Sequence, residues 1–300
     1  MPRTARPKLL SNGLSVYGAS HSGGRQEEFI VGEYFDSDFA LGPGATVFDI
    51  GANIGLFSLE LLRRHDGKVR IVACEPAPEP FGFLARNVRE LFPSAHVTCR
   101  CCAVSDRVGS TTLYFRPRLS VISSLHREPL IENEELIDQM LKQQPGNSSG
   151  NVSQVKVSRR VARELVRWLM RLVGWWMTRK VVEVPCTMTT VSQLISETAV
   201  PRIDLLKIDV EGAELDVLRG INADDWPKIR AIVAEVHDLA GRVETMRGML
   251  ESASYDRIHF GQEPLFEGTN IYMLHASRDA AGGASAGAGC EATAAPPASR

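Results

Sequence analysis

Several short groups of residues in this chain have the types and spacing to do chemistry. The first is Asp49-Ile50-Gly51-Ala52-Asn53-Ile54-Gly55, an acid and two glycines closing the apolar run 47–50. A glycine at 51 permits close backbone approach to a ligand, because a Cβ there would collide. The second is Glu75, which ends the apolar run 69–74, 24 residues after Gly51. A carboxylate at that place can accept hydrogen bonds from both hydroxyls of a ribose. The third is Lys207, Asp209 and Glu211, which alternate in a run of strand character and so share one face. The fourth is Glu235 and His237 at the end of the apolar run 229–236. An imidazole with an ordinary pKa of about 6.5 suits a general base at neutral pH, and His237 is the candidate for that role. The other reading of a lone histidine is a solvent-facing or helix-capping side chain. Asp209 and Glu211 would orient a substrate or bind an ammonium group. Together with Glu235 they would also make an oxygen-rich set for Mg²⁺.

These groups need elements to hold them. The apolar run, glycine turn and following apolar helix around 47–62 open a nucleotide-binding α/β unit. The spacing differs from Gly-x-Gly-x-x-Gly, because residue 53 is Asn. Strands are expected at 69–74, 96–104, 109–115, 182–186, 203–212, 229–236, 256–260 and 270–275. The strand at 109–115 looks like an added hairpin. Helices are expected at 80–91, 189–195, 213–220 and 242–250, with Gly220 as a C-cap. Ser105 and Asp106 close the third strand, where an adenine edge would lie. Glu214 and Asp216 read as helix-surface residues. Near-continuous apolar strands imply a parallel sheet covered on both faces. The fold class is therefore α/β, a doubly wound, Rossmann-like and mostly parallel sheet with an inserted helical segment.

Residues 1–28 are polar and glycine-punctuated, an N-terminal extension. Phe29, Ile30, Tyr34, Phe35 and Phe39 form an aromatic patch that either packs on the sheet edge or walls a substrate. The main domain spans 29–275 with an insertion at about 116–180, and 276–300 is a tail of disordered composition. Within the insertion, 159–180 carries seven basic residues, one acid and three tryptophans. It reads as a packed helix with a solvated basic face, a lid over the site, or a helix in contact with a membrane surface.

At 300 residues and 44% hydrophobic the chain can bury a large core. A net charge of −2 gives no general attraction to nucleic acid, and none is expected as a partner. Cys99, Cys101 and Cys102 read as small apolar residues of one strand, with no disulfide framework. No signal peptide or membrane-spanning run is seen, so the expected location is cytoplasmic.

Asp49-x-Gly-x-x-x-Gly55 resembles motif I of the class I S-adenosylmethionine (SAM) methyltransferases. Adding Glu75-Pro76, 103–106, Glu235-Val-His-Asp238, the 268–272 ending and above all 205–220, the chain resembles the FkbM family of SAM-dependent methyltransferases. The resemblance covers about 29–275, apart from the insertion. It implies SAM as cofactor, held by Asp49, Gly51, Asn53, Gly55, Glu75, Ser105 and Asp106, with Asp49 near the ammonium. It implies O-methylation of a small-molecule hydroxyl, with His237, Asp209, Lys207 and Glu211 at the reacting end. The insertion departs from the family's shorter forms and leaves the acceptor pocket open. Competing readings are a non-catalytic SAM-binding or interaction module, an RNA methyltransferase, and a dehydrogenase of related fold. The missing third glycine counts against the last.

Overall fold

A computed structural model describes residues 6–10, 12–18, 34, 41–117, 123–125, 180–262 and 266–278. The expected insertion helix 159–180, most of the aromatic patch and the tail beyond 278 lie outside these residues. Of the patch, Tyr34 is described; it is buried and meets Phe57 edge-on, with ring centroids 5.7 Å apart.

The core is a seven-stranded sheet. In chain order its strands are β3 (Thr46–Ile50), β4 (Arg70–Cys74), β5 (His96–Arg100), β9 (Leu205–Ile208), β10 (Ala231–His237), β11 (Arg257–Gly261) and β12 (Ile271–Ser277). The spatial order is β11-β12-β10-β9-β3-β4-β5. Strand β12 runs antiparallel to β10 and β11, and every other neighbouring pair is parallel. The chain therefore winds outward from β3 in both directions, and the crevice between β3 and β9 is the switch point where such sheets bind ligands. Strands β3, β9 and β10 are buried along their whole length, as their apolar runs require.

Helices cover both faces: α1 (Leu56–Arg64), α2 (Pro78–Leu91), α3 (Val191–Thr198), α4 (Glu214–Arg219) and α5 (Arg242–Ser252). Local chemistry sets their ends. Proline at the start of α2 loses no helical hydrogen bond. The Thr190 side chain accepts from the Gln193 N–H and caps α3. One apolar cluster, with Phe48, Ile50, Leu206, Ile232 and Val236, lies under α3, α4 and α5. The opposite cluster, with Val47, Phe57, Leu61, Leu205 and Val233, lies under α1 and α2.

Four departures from the sequence reading are informative. The expected strand 96–104 breaks at Cys101-Cys102, and β6 (Ala103–Val104) leaves for a second sheet of order β6-β8-β7, with β7 (Gly109–Phe115) and β8 (Val182–Thr189). Strand β7 thus pairs with β8 across the insertion rather than forming a local hairpin. The N-terminal extension contributes β1 (Lys8–Leu9) and β2 (Ser15–Val16), and Leu10, Leu14 and Val16 pack on Leu59 of α1. The last strand, expected at 270–275, runs on as β12 through Ser277. Finally, Gly220 does end α4, but at φ −77 it needs no left-handed turn. A Cβ at 220 would lie 2.2 Å from the Ser105 carbonyl oxygen, so close packing explains the glycine.

Candidate functional site

The site candidates gather at the carboxyl ends of β3, β4, β9 and β10. Register explains how. Asp49 of β3 pairs with Lys207 of β9, and Lys207 pairs with Val233 of β10, so all three share one row and one face. Glu235 and His237 follow Val233 at two-residue steps and stay on that face.

Lys207 is the hub. Its ammonium is buried, donates to the Gly51 carbonyl at 2.9 Å, and lies 3.2 Å from Asp49 Oδ1 and 3.3 Å from Asp209 Oδ2. Burial opposes its charge, but Asp209 and Asp49 outweigh that and raise its pKa. Asp49 is fully buried; its other oxygen accepts from Ser58 Oγ at 2.6 Å. Its carboxylate thus braces the turn from beneath, and an ammonium group there would have to displace Lys207.

Gly51 sits at φ 78, and a Cβ on it would lie 1.6 Å from the Asp209 carbonyl oxygen. The close approach that demands a glycine is therefore made by the chain's own backbone, before any ligand is considered. Asn53 also adopts a left-handed conformation, φ 49, which Asn tolerates better than most residues. Gly55 N-caps α1 at φ 93 and leaves room for Leu84.

Glu75 closes the turn from the other side. Its Oε2 accepts from the Asn53 N–H at 2.9 Å and its Oε1 from the Ala77 N–H at 2.8 Å. Burial pushes its pKa up to about 7, against the two backbone donors. Each oxygen keeps a second lone pair for a ligand donor. The buried Asn53 Oδ1 has no hydrogen-bond partner among the described residues. These are acceptors a hydroxyl-bearing nucleoside can use, so this corner fits the ribose part of SAM. Ser105 and Asp106 follow β6 of the second sheet. The Ser105 N–H donates to the Thr189 carbonyl, its own carbonyl presses on Gly220, and Asp106 pairs with Arg107.

The second corner is acidic. Glu211 holds φ 52, an uncommon conformation for its type. Its carbonyl accepts from the Ser124 hydroxyl, and Arg242 donates to the Gly212 carbonyl at 2.6 Å. His237 is fully buried. Its Nε2 lies 3.6 Å from Glu211 Oε2 and 4.0 Å from Glu235 Oε1, and its Nδ1 lies 3.5 Å from Glu214 Oε1. Burial works against a charged imidazole, but Glu214, Glu211 and Glu235 outweigh it and lift His237 to about 10. The free chain therefore holds an imidazolium at neutral pH, where sequence suggested a base titrating near 6–7. Burial raises Glu211 well above the usual carboxylate range, and burial with Asp209 raises Glu235 to about 8. Of the Mg²⁺ set expected from sequence, Glu211 and Glu235 converge, while Asp209 turns to Lys207 and His237 takes its place. Glu214, expected on the helix surface, is buried behind His237, and its Oε1 accepts from the Gly212 N–H at 2.6 Å. Its partner is on β10, 23 residues away, so no local pattern reveals it. Asp216 stays partly exposed against Arg219.

No helix among the described residues is long and apolar enough to cross a membrane. The cysteines 74, 99, 101, 102 and 186 are free thiols.

Known proteins are similar to this chain in sequence. The methyltransferase FkbM domain matches residues 49–257, which include every residue of both corners. The 31-O-demethyl-FK506 methyltransferase FkbM of Streptomyces tacrolimicus is 32% identical over 290 residues, 90% of this chain and 96% of that protein. Methyltransferase sdnD of Sordaria araneosa is 30% identical over 262 residues, 85% of this chain and 92% of that protein. Methyltransferase 1 of Beauveria bassiana is 29% identical over 279 residues, 90% and 97% respectively. Among solved structures, the precorrin-6y C5,15-methyltransferase of Geobacter metallireducens aligns at TM-score 0.39 and 12% identity over 91% of this chain and 100% of that chain. On the matched span and the identity to these full-length relatives, the chain belongs to the FkbM family of SAM-dependent methyltransferases.

Proposed function

We propose that this methyltransferase transfers the methyl group to a hydroxyl of a small molecule. The observation that carries the reading is the convergence of Glu211, Glu235 and His237 beside the cofactor turn. A hydroxyl must be oriented and relieved of its proton; the His237 imidazolium can donate to the acceptor oxygen, and the Glu211 and Glu235 carboxyl groups can take the proton. A relative's name, 31-O-demethyl-FK506 methyltransferase, also points to a hydroxyl on a natural product.

SAM supplies a methyl group on a sulfonium. Glu75 would accept from the ribose hydroxyls, the 51–55 turn would let the backbone come close, and Asp209 would take the ammonium. Lys207 is a positioning residue: it ties Asp49, Gly51 and Asp209 together, so cofactor and acceptor meet at a fixed separation. The acceptor oxygen would form the new O–C bond as the C–S bond breaks, its electron pair staying on sulfur, and the hydroxyl proton would pass to the Glu235 carboxylate, which burial and Asp209 raise to about 8.

The test is a panel of hydroxylated small molecules assayed by release of S-adenosylhomocysteine, with calorimetric titration of SAM alone. Turnover confined to amines or to RNA, with every alcohol inert, would refute the hydroxyl assignment.

A further inference from the structure

The His237 imidazole is fully buried, and its Nε2 has no hydrogen-bond partner among the described residues. It faces Glu211 Oε2 at 3.6 Å and Glu235 Oε1 at 4.0 Å. Both separations are too long for hydrogen bonds. They are of the length spanned by two metal–ligand bonds of about 2.1 Å each. The three ligand atoms all lie within 4.8 Å of one another. We propose that Glu211, Glu235 and His237 form a binding site for one divalent first-row transition cation.

The framework suits the task. Glu235 and His237 project from β10, a buried strand flanked by β9 and β12. Glu211 stands on a left-handed residue pinned through Ser124 and Arg242. Behind the ring, Glu214 Oε1 lies 3.5 Å from Nδ1 and is itself fixed by the Gly212 N–H. A carboxylate on the far nitrogen orients a ligating histidine and raises its basicity. The electrostatics agree. The acidic side chains of Asp209 and Glu214 stand beside the three ligands, Asp209 paired with Lys207 and Glu214 behind the ring.

The ligand set also selects the ion. Two carboxylates alone would suit Mg²⁺, but an imidazole favours Mn²⁺ or Zn²⁺. Three protein ligands leave coordination positions open, and a hydroxyl bound there has a lowered pKa. The inference deepens the reading above, since the hydroxyl would be the acceptor's, but ion binding needs neither cofactor nor acceptor.

The experiment titrates the full chain, stripped with a chelator, with Mn²⁺, Zn²⁺ and Mg²⁺ by calorimetry, with electron paramagnetic resonance of Mn²⁺ as a second readout. One ion per chain is expected for Mn²⁺ and for Zn²⁺, each bound more tightly than Mg²⁺. Glu235→Gln and Glu211→Gln, near-isosteric changes, should weaken binding at least about 10-fold. Glu214→Gln, acting through His237, should weaken it by about 10–100-fold. The exposed Glu244→Gln should change nothing. Melting curves with and without Mn²⁺ separate a folded variant that has lost the ion from one that fails to fold. A wild-type chain without saturable binding, a preference for Mg²⁺, or Glu→Gln variants of wild-type affinity would overturn the proposal. Failed ion binding with intact SAM binding would leave methyl transfer standing, and ion binding without SAM binding would sink that reading instead.

Discussion

Gly51→Ala isolates a contact at the centre of the site. The added Cβ would lie 1.6 Å from the Asp209 carbonyl oxygen and 2.7 Å from its carbon, at φ 78. Two costs follow. Forcing a non-glycine residue into a left-handed conformation costs about 1 kcal/mol. The clash is with backbone at the end of β9, so it cannot be relieved by rotating a side chain. Displacing packed backbone adds about 1–3 kcal/mol or more. The sum is about 2–4 kcal/mol, a large share of the ~5–15 kcal/mol that holds a domain together. At about 2–4 °C per kcal/mol for a domain of this size, the melting temperature should fall by about 4–16 °C. Gly44→Ala supplies the control: φ there is 80, and nothing lies within 4 Å of the new Cβ. It should cost only the conformational part. Differential scanning calorimetry of both variants measures the difference directly. If Gly51→Ala melts no lower than Gly44→Ala, the Asp209 carbonyl does not press on the turn, and the glycine must be explained by the ligand instead.

Other perturbations read the remaining contacts. Glu75→Gln should raise the SAM dissociation constant about 10–100-fold, because charge-assisted hydrogen bonds contribute about 1.5–3 kcal/mol. Burial lets the free chain's Glu75 keep its proton up to about pH 7, and ribose hydroxyls favour the ionised form. SAM affinity should therefore rise with pH through about 7 in the wild type and stay flat in the variant. Lys207→Met leaves Asp49 fully buried without its cation and should cost about 3–5 kcal/mol in denaturant unfolding. Gly220→Ala, pressed against the Ser105 carbonyl at 2.2 Å, should lower the melting temperature without moving SAM affinity; a loss of affinity would put Ser105 back beside the cofactor.

Much of the sheet is legible because its strands are buried on both faces. Runs such as Val47-Phe48 and Ile232-Val233 leave little choice but a covered parallel strand. The break after β5 is not legible, since the cysteines there suit one continued strand as well as two short ones. What parts them is pairing with β8, which follows the insertion. At the first corner the residue types are legible in sequence, and their protein partners are not. Asp49 and Gly51 look aimed at a ligand; their nearest partners turn out to be Lys207, Ser58 and the Asp209 backbone. Glu214 was misread for a physical reason. An acid in a helix's first turn is favoured by the dipole and usually faces water. Only the long-range packing of α4 on the end of β10 puts it behind His237.

The same contacts tie the two corners together. The Asp209 carbonyl fills the space a side chain at Gly51 would need, and the Lys207 ammonium bonds the Gly51 carbonyl and pairs with both Asp49 and Asp209. Any shift of the cofactor turn must therefore move the start of the 209–212 loop, and that loop carries Glu211. In-line methyl transfer depends on the distance between a bound donor and a bound acceptor, and a misplacement of about 1 Å can cost 100-fold. A buried charge network is a poor source of net stability, because desolvation offsets most of its attraction. Its contribution here is geometric: one fully desolvated lysine sets the spacing between the turn that would grip the cofactor and the acids that would receive the acceptor.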